Sequence, residues 1–189
     1  MRHPKMLRRS TGLGLGLAAV ALLSLGADEA KQTVDARGLT FEAPKSWKWS
    51  PPASQMRRAQ LKVDPLEGDD YSAELIVFAF PGGAGSVEAN IKRWQNLFKD
   101  EDGNPPRIET RTVQGKNVEV TRAETHGEYH PAQFPGQRPE PVRKNARLLG
   151  AIITGGETGY YIRMVGPDKT MNKIRPDFDE MLKTIKVGD

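Results

Sequence analysis

Residues 72–98 read SAELIVFAFPGGAGSVEANIKRWQNLF. Leu75, Ile76, Val77 and Phe78 follow one another without polar alternation, which predicts a central strand buried on both faces. Pro81 to Gly85 then break the chain. Ser86 stands where a helix N-cap belongs, and Val87, Ile91, Trp94 and Phe98 recur at steps of three and four residues. Glu88, Lys92 and Arg93 fall away from that stripe, so the segment is an amphipathic helix expected to pack Ile91, Trp94 and Phe98 beneath a sheet. Gly103, Pro105 and Pro106 end it.

On the upstream side, Leu39 to Ala43 alternate apolar and polar residues before Pro44 and read as a short strand, and Met56 to Asp64 read as another. Asp28 to Gly38 are polar and without period, so residues 27–38 are expected to be a flexible tether. Downstream, strands are expected at Ile108 to Val113 and Val118 to His126, turning at Gly115 and Lys116. A 17-residue loop from Gly127 to Arg143 carries four prolines and is too long for an ordinary hairpin connection. Arg147 to Thr154 and Tyr160 to Val165 flank Gly155, Gly156 and Gly159 as a hairpin. From Asp168 onward, Met171, Ile174, Phe178, Met181, Leu182 and Ile185 mark a helical face. Pro176 lies inside it, which predicts either a kink or two short helices.

Three strands, a helix, four strands and a helix define an α+β class: a mainly antiparallel sheet of about six to seven strands with two amphipathic helices packed on it. Leu39-Thr40-Phe41 with Ala43-Pro44 and Trp47, the helix of Ile91 and Trp94, and Phe178 with Met181-Leu182 together resemble the PsbP-like family. That family includes extrinsic photosystem II proteins, a Ran-binding nuclear import factor and exported bacterial proteins of unknown function. The resemblance implies an α/β/α sandwich over residues 39–187 and a core position for Trp47. It implies no active site, since such folds host unrelated functions.

The N-terminus carries Arg2, Lys5, Arg8 and Arg9 without an acid, followed by an apolar stretch from Leu13 to Leu25. This order is that of a cleavable signal peptide over residues 1–26, with an exported, periplasmic or extracellular product. Gly12, Gly14 and Gly16 and the short apolar run argue against a retained span, which needs about 20 apolar residues. The chain has 28 basic and 24 acidic residues; without the four basic residues of the leader the two signs balance at 24 each. A mature chain without net charge lacks the basic footprint of nucleic-acid binding. With no cysteine, disulfides, thiol catalysis and a lipid-modified cysteine are excluded, and stability rests on a hydrophobic core.

Four sets of residues can carry chemistry. Glu124, His126, Glu128 and His130 alternate and share one face of an extended chain; His126, Glu128 and His130 are candidate ligands for a divalent metal. Two histidines four apart on a flat strand stand about 13 Å apart, so sharing one ion requires a bend at Gly127. Gly82, Gly83, Gly85 and Ser86 form a glycine-rich strand-to-helix turn whose backbone donors can hold an anion or a partner. Trp49 is a candidate surface aromatic for a sugar or an apolar partner. The mature serines, Ser46, Ser50, Ser54, Ser72 and Ser86, sit in no nucleophile elbow.

The reading that follows is an exported, non-catalytic binding or accessory module for an envelope protein or small ligand, with the proline-rich loop and the glycine-rich turn as contact surfaces. It expects no cofactor. The alternative is a metal-binding protein or metal-dependent enzyme centred on His126, Glu128 and His130.

Overall fold

A computed structural model describes residues 30–52, 54–133 and 139–188; the leader lies outside them. In chain order the elements are β1 (Lys31–Asp35), β2 (Leu39–Pro44), β3 (Lys48–Trp49), β4 (Arg57–Val63), β5 (Ala73–Pro81), α1 (Val87–Gln95), β6 (Phe98–Lys99), β7 (Glu109–Gln114), β8 (Glu119–Tyr129), β9 (Arg143–Ile153), β10 (Thr158–Pro167), α2 (Asp168–Thr184) and β11 (Lys186–Val187). The large sheet runs β3-β4-β5-β10-β9-β8, and both β6 and β7 pair with the outer edge of β8. A small sheet has the order β1-β2-β11. Every pairing is antiparallel.

The α+β class therefore holds, with eleven strands in two sheets among the described residues where six to seven were expected. The additional strands are chiefly two-residue pieces, too short for any hydrophobic period to register. β1 is a more substantial correction. Residues 31–35, expected within a tether, pair with β2 from Lys31 opposite Pro44 to Asp35 opposite Thr40. Arg37 and Gly38, with φ of 58° and 100°, turn the chain between them. Val34 is buried in the core, and the Gln32 side-chain amide donates to the carbonyls of Pro44 and Trp47 at 3.0 and 2.6 Å. One buried valine among polar neighbours gives no readable period, yet it suffices once β2 supplies the backbone partners.

The large sheet is covered on both faces, which is why β5 is continuously apolar. Leu75 and Val77 pack in the cluster that holds Met171, Ile174, Phe178, Met181 and Leu182 of α2 together with Leu39, Phe41 and Trp47. On the opposite face Phe78 and Phe80 pack with Trp94, Phe98, Leu148 and Ile152. Trp94 is buried and Ile91 half-buried, so that part of the expected stripe does face the sheet; Phe98, expected on the same helix, is instead buried in β6, because α1 stops at Gln95 and the chain turns to pair with β8. Trp94 lies flat against β9 at Gly150, where a Cβ would overlap the indole.

Pro176 does not split the last helix, which is one element from Asp168 to Thr184. Pro176 is exposed while Ile174 and Phe178 beside it are buried. An interior proline costs about 3 kcal/mol, and burial of large side chains on both sides of it, at about 1.5–3 kcal/mol each, offsets that.

Candidate functional site

Alternation along β8 places Val120, Arg122 and Glu124 on the α2 side of the sheet. Val120 joins the core, but Arg122 and Glu124 are charged and only 5% and 8% exposed. Burial of ionised groups is tolerated only with close partners, and α2 and β9 bring them. Arg122 Nε donates to Asp179 Oδ1 at 2.6 Å and Arg122 Nη2 to Glu124 Oε2 at 2.7 Å. Arg147 Nη1 of β9 pairs with Glu124 Oε1, and its Nε donates to Asp168 Oδ1 at 2.8 Å, at the first residue of α2. Arg175 Nη1 reaches Glu124 Oε1 at 3.5 Å, and Arg111 of β7 binds Asp179 Oδ2 at 2.8 Å. Cations and anions thus alternate from Arg111 to Asp168.

Burial pushes the Glu124 carboxyl up, but the hydrogen bond from Arg122 and the charges of Arg122 and Arg147 outweigh it and hold the group below the usual carboxylate value. Burial likewise opposes the charge on Arg122, and its bonds to Asp179 and Glu124 prevail, raising its pKa. Glu124 and Arg122 therefore both stay charged near neutrality.

This network floors an open cleft of about 1210 Å³. Glu124, His126, Glu128 and His130 all line it, with Lys144 and Arg147 of β9 and Asp168 and Arg175 of α2. The acidic turn after β6 closes one side, where Asp100 Oδ1 accepts from the backbone N–H groups of Asp102 and Asn104 at 3.0 and 2.8 Å. The expected bend is present. Register shifts between Gly127 and Tyr129, Asn145 opposite has φ 48°, and Gly127 has φ 149°. A Cβ at Gly127 would collide with the Lys99 carbonyl, so glycine lets β6 close on this strand.

The proposed metal ligands meet only in part. His130 Nε2 lies 2.8 Å from Glu128 Oε1, while His126 is exposed. Among the described residues no group of three or more His, Asp or Glu side chains is arranged to hold an ion. At the glycine-rich turn the donors are used within the chain: Gly82 N–H donates to the Glu157 carbonyl, Gly83 N–H to that of Phe80, and Ala84 N–H to Tyr161 Oη. Ser86 Oγ accepts from Ala89 N–H and caps α1 as expected. Trp47 is fully buried and Trp49 is 54% exposed on β3, which matches their separate expectations. Of the proline-rich loop, residues 134–138 lie outside the described set; Gln133 Nε2 donates to the carbonyls of Pro131 and Glu140 across its base.

Sequence reasoning missed Arg122, Arg147, Arg175, Asp168 and Asp179. The available signal was Arg122-x-Glu124 inside an otherwise core-facing strand. The partners on α2 are more than 40 residues away in sequence, so only the fold joins them.

No protein-family model and no curated protein matches the sequence. Among solved structures the chain is similar to the solution structure of cyanobacterial PsbP (CyanoP) from Synechocystis sp. PCC 6803, at 12% identity and a TM-score of 0.49 over 90% of this chain and 98% of that one. The chain is also similar to LpqN of Mycobacterium tuberculosis, a protein involved in cell envelope biogenesis, at 11% identity and a TM-score of 0.46 over 85% and 91%. A Pseudomonas aeruginosa protein of unknown function is similar at 9% identity and a TM-score of 0.45 over 82% and 94%. These are similarities of structure at low identity, and no ligand, activity or family passes from them.

Proposed function

We propose that this chain is an exported, non-catalytic binding or accessory module whose cleft beside α2 receives a charged segment of an envelope protein or a charged small ligand. The observation that carries the reading is Glu124 held ionised by Arg122, Arg147 and Arg175 beneath an open cleft. A general acid at this position would need a pKa raised towards neutrality, and Glu124 is shifted the other way. The floor instead supplies a rigid, pre-paired platform. Its rim, with exposed His126 and Lys144, remains open to a partner. Of the two surfaces expected from sequence, the glycine-rich turn has the amides of Gly82, Gly83 and Ala84 engaged internally, which favours the cleft as the main contact surface. Among the described residues no helix is long and apolar enough to cross a membrane.

A photo-cross-linking amino acid at position 126, introduced into the full chain in intact cells, tests this. A discrete adduct that disappears on Lys144→Glu is expected. No adduct, or the same adduct in the Lys144→Glu chain, refutes the cleft as the contact surface.

A further inference from the structure

On the opposite face of the large sheet, four strands place a second, smaller group of charges in one pocket of about 240 Å³. Arg57 and Lys62 come from β4, Glu74 from β5, Arg163 from β10 and Arg143 from β9, with Glu140 at the rim. Four cations therefore face two carboxylates. Glu74 is already engaged, accepting from Gln60 Nε2 at 2.7 Å and lying 3.8 Å from Arg57. Arg143 and Arg163 have no carboxylate partner among the described residues; they stack on rings instead. The Arg143 guanidinium lies 4.2 Å from the centre of the Tyr71 ring, and that of Arg163 5.7 Å from the centre of Phe78. Stacking leaves guanidinium N–H groups at the edge of the plane available for an anion.

Tyr71 supplies an independent observation. The residue lines this pocket, and its hydroxyl is buried and has no hydrogen-bond partner among the described residues. Buried polar atoms without partners are rare in native proteins and call for an explanation. Burial raises the Tyr71 pKa to about 12, so the phenol keeps its proton and stands ready to donate.

We propose that this pocket binds a small phosphate-bearing ligand, with Arg143 and Arg163 holding the phosphate oxygens and the Tyr71 hydroxyl donating to it. Two guanidinium forks from β9 and β10 and a phenol from the bend before β5 present donors in more directions than a planar carboxylate accepts, and they suit a tetrahedral dianion. The excess of two positive charges matches that dianion. The volume of about 240 Å³ admits a phosphate with a short substituent. The site is separate from the cleft beside α2 and does not depend on the function proposed for it.

Titration calorimetry on the full chain, with inorganic phosphate, glycerol 3-phosphate and acetate at constant ionic strength, provides the test. One-to-one binding of inorganic phosphate or glycerol 3-phosphate, with acetate weaker by about tenfold or more, is expected. Tighter binding of the ester than of the free ion would assign the natural ligand to phosphate monoesters, and the reverse order to free phosphate. Arg143→Gln and Arg163→Gln should each weaken binding about tenfold. Tyr71→Phe removes only the unpartnered hydroxyl, so it should fold like the parent by circular dichroism and still bind several-fold more weakly. Absence of saturable phosphate binding, acetate binding of equal strength, or affinity unchanged in Tyr71→Phe and in both arginine variants overturns the proposal.

Discussion

Glu124→Gln removes one charge from the ion network while preserving the side chain's shape. In the parent, Glu124 is shared by Arg122, Arg147 and Arg175 and is 8% exposed. Removing one partner of a buried pair costs about 3–5 kcal/mol, because the remaining charge keeps its desolvation penalty. Arg122 retains Asp179 and Arg147 retains Asp168, so the loss should fall at the lower end, about 3 kcal/mol at neutral pH. The pH dependence has a definite sign. The folded pKa of Glu124 lies below its ordinary value of 4.5, so its contribution is complete above the unfolded value and is lost as pH falls through the folded one. Urea unfolding of both chains should show the widest gap near neutrality, narrowing below about pH 4. A gap under about 1 kcal/mol at neutral pH, or one that stays constant down to about pH 3, would refute the reasoning.

Gly150→Ala should cost about 1–3 kcal/mol by overpacking, since the new Cβ would overlap the Trp94 ring, with Cε3 at 2.8 Å; Trp94→Leu should recover part of that loss in a double-mutant cycle of unfolding energies. Ser86→Ala should destabilise by about 1 kcal/mol through loss of the α1 cap, a bond from Ala89 N–H of 3.2 Å, read as a lower urea midpoint at unchanged slope. Zinc added to the metal-free chain should leave its melting temperature unchanged; a stoichiometric rise abolished by His130→Ala would reinstate a metal site on His126, Glu128 and His130. The exported form should begin within a residue or two of Ala27 by intact mass, and a retained Met1 would show that the leader is an anchor.

Local patterns carried much of the fold. The unbroken run Leu75 to Phe78 required cover on both faces, and the spacing of Val87, Ile91 and Trp94 required a helix with one face against a sheet, although Phe98 continues that spacing from a strand. Ser86 was legible as a cap because capping is decided by chemistry within one helical turn. Residues 31–35 were not legible. Their strand exists only because β2 lies alongside, and a polar edge strand with one buried valine carries almost no periodic signal. Of the two outcomes expected at Pro176, a split into two helices does not occur, because local preference for a break is outweighed by what Ile174 and Phe178 bury.

The candidate site divides along the same line. Strand alternation alone put Glu124, His126, Glu128 and His130 on one face, and the glycine at 127 marked where the strand would bend. Their chemistry was decided by residues distant in sequence: Arg147 across the sheet and Asp168, Arg175 and Asp179 on α2 convert Glu124 from a candidate ligand's neighbour into the centre of a buried ion network. Likewise Tyr71, Arg143 and Arg163 become one pocket only when β5, β10 and β9 lie side by side. Sequence by itself determined the longer core elements, their buried faces and the N-cap, because these depend on neighbours within a few positions. Only the tertiary structure decided which charges neutralise one another and which stay available, because electrostatic energy depends on distance and burial, and neither is set by separation along the chain.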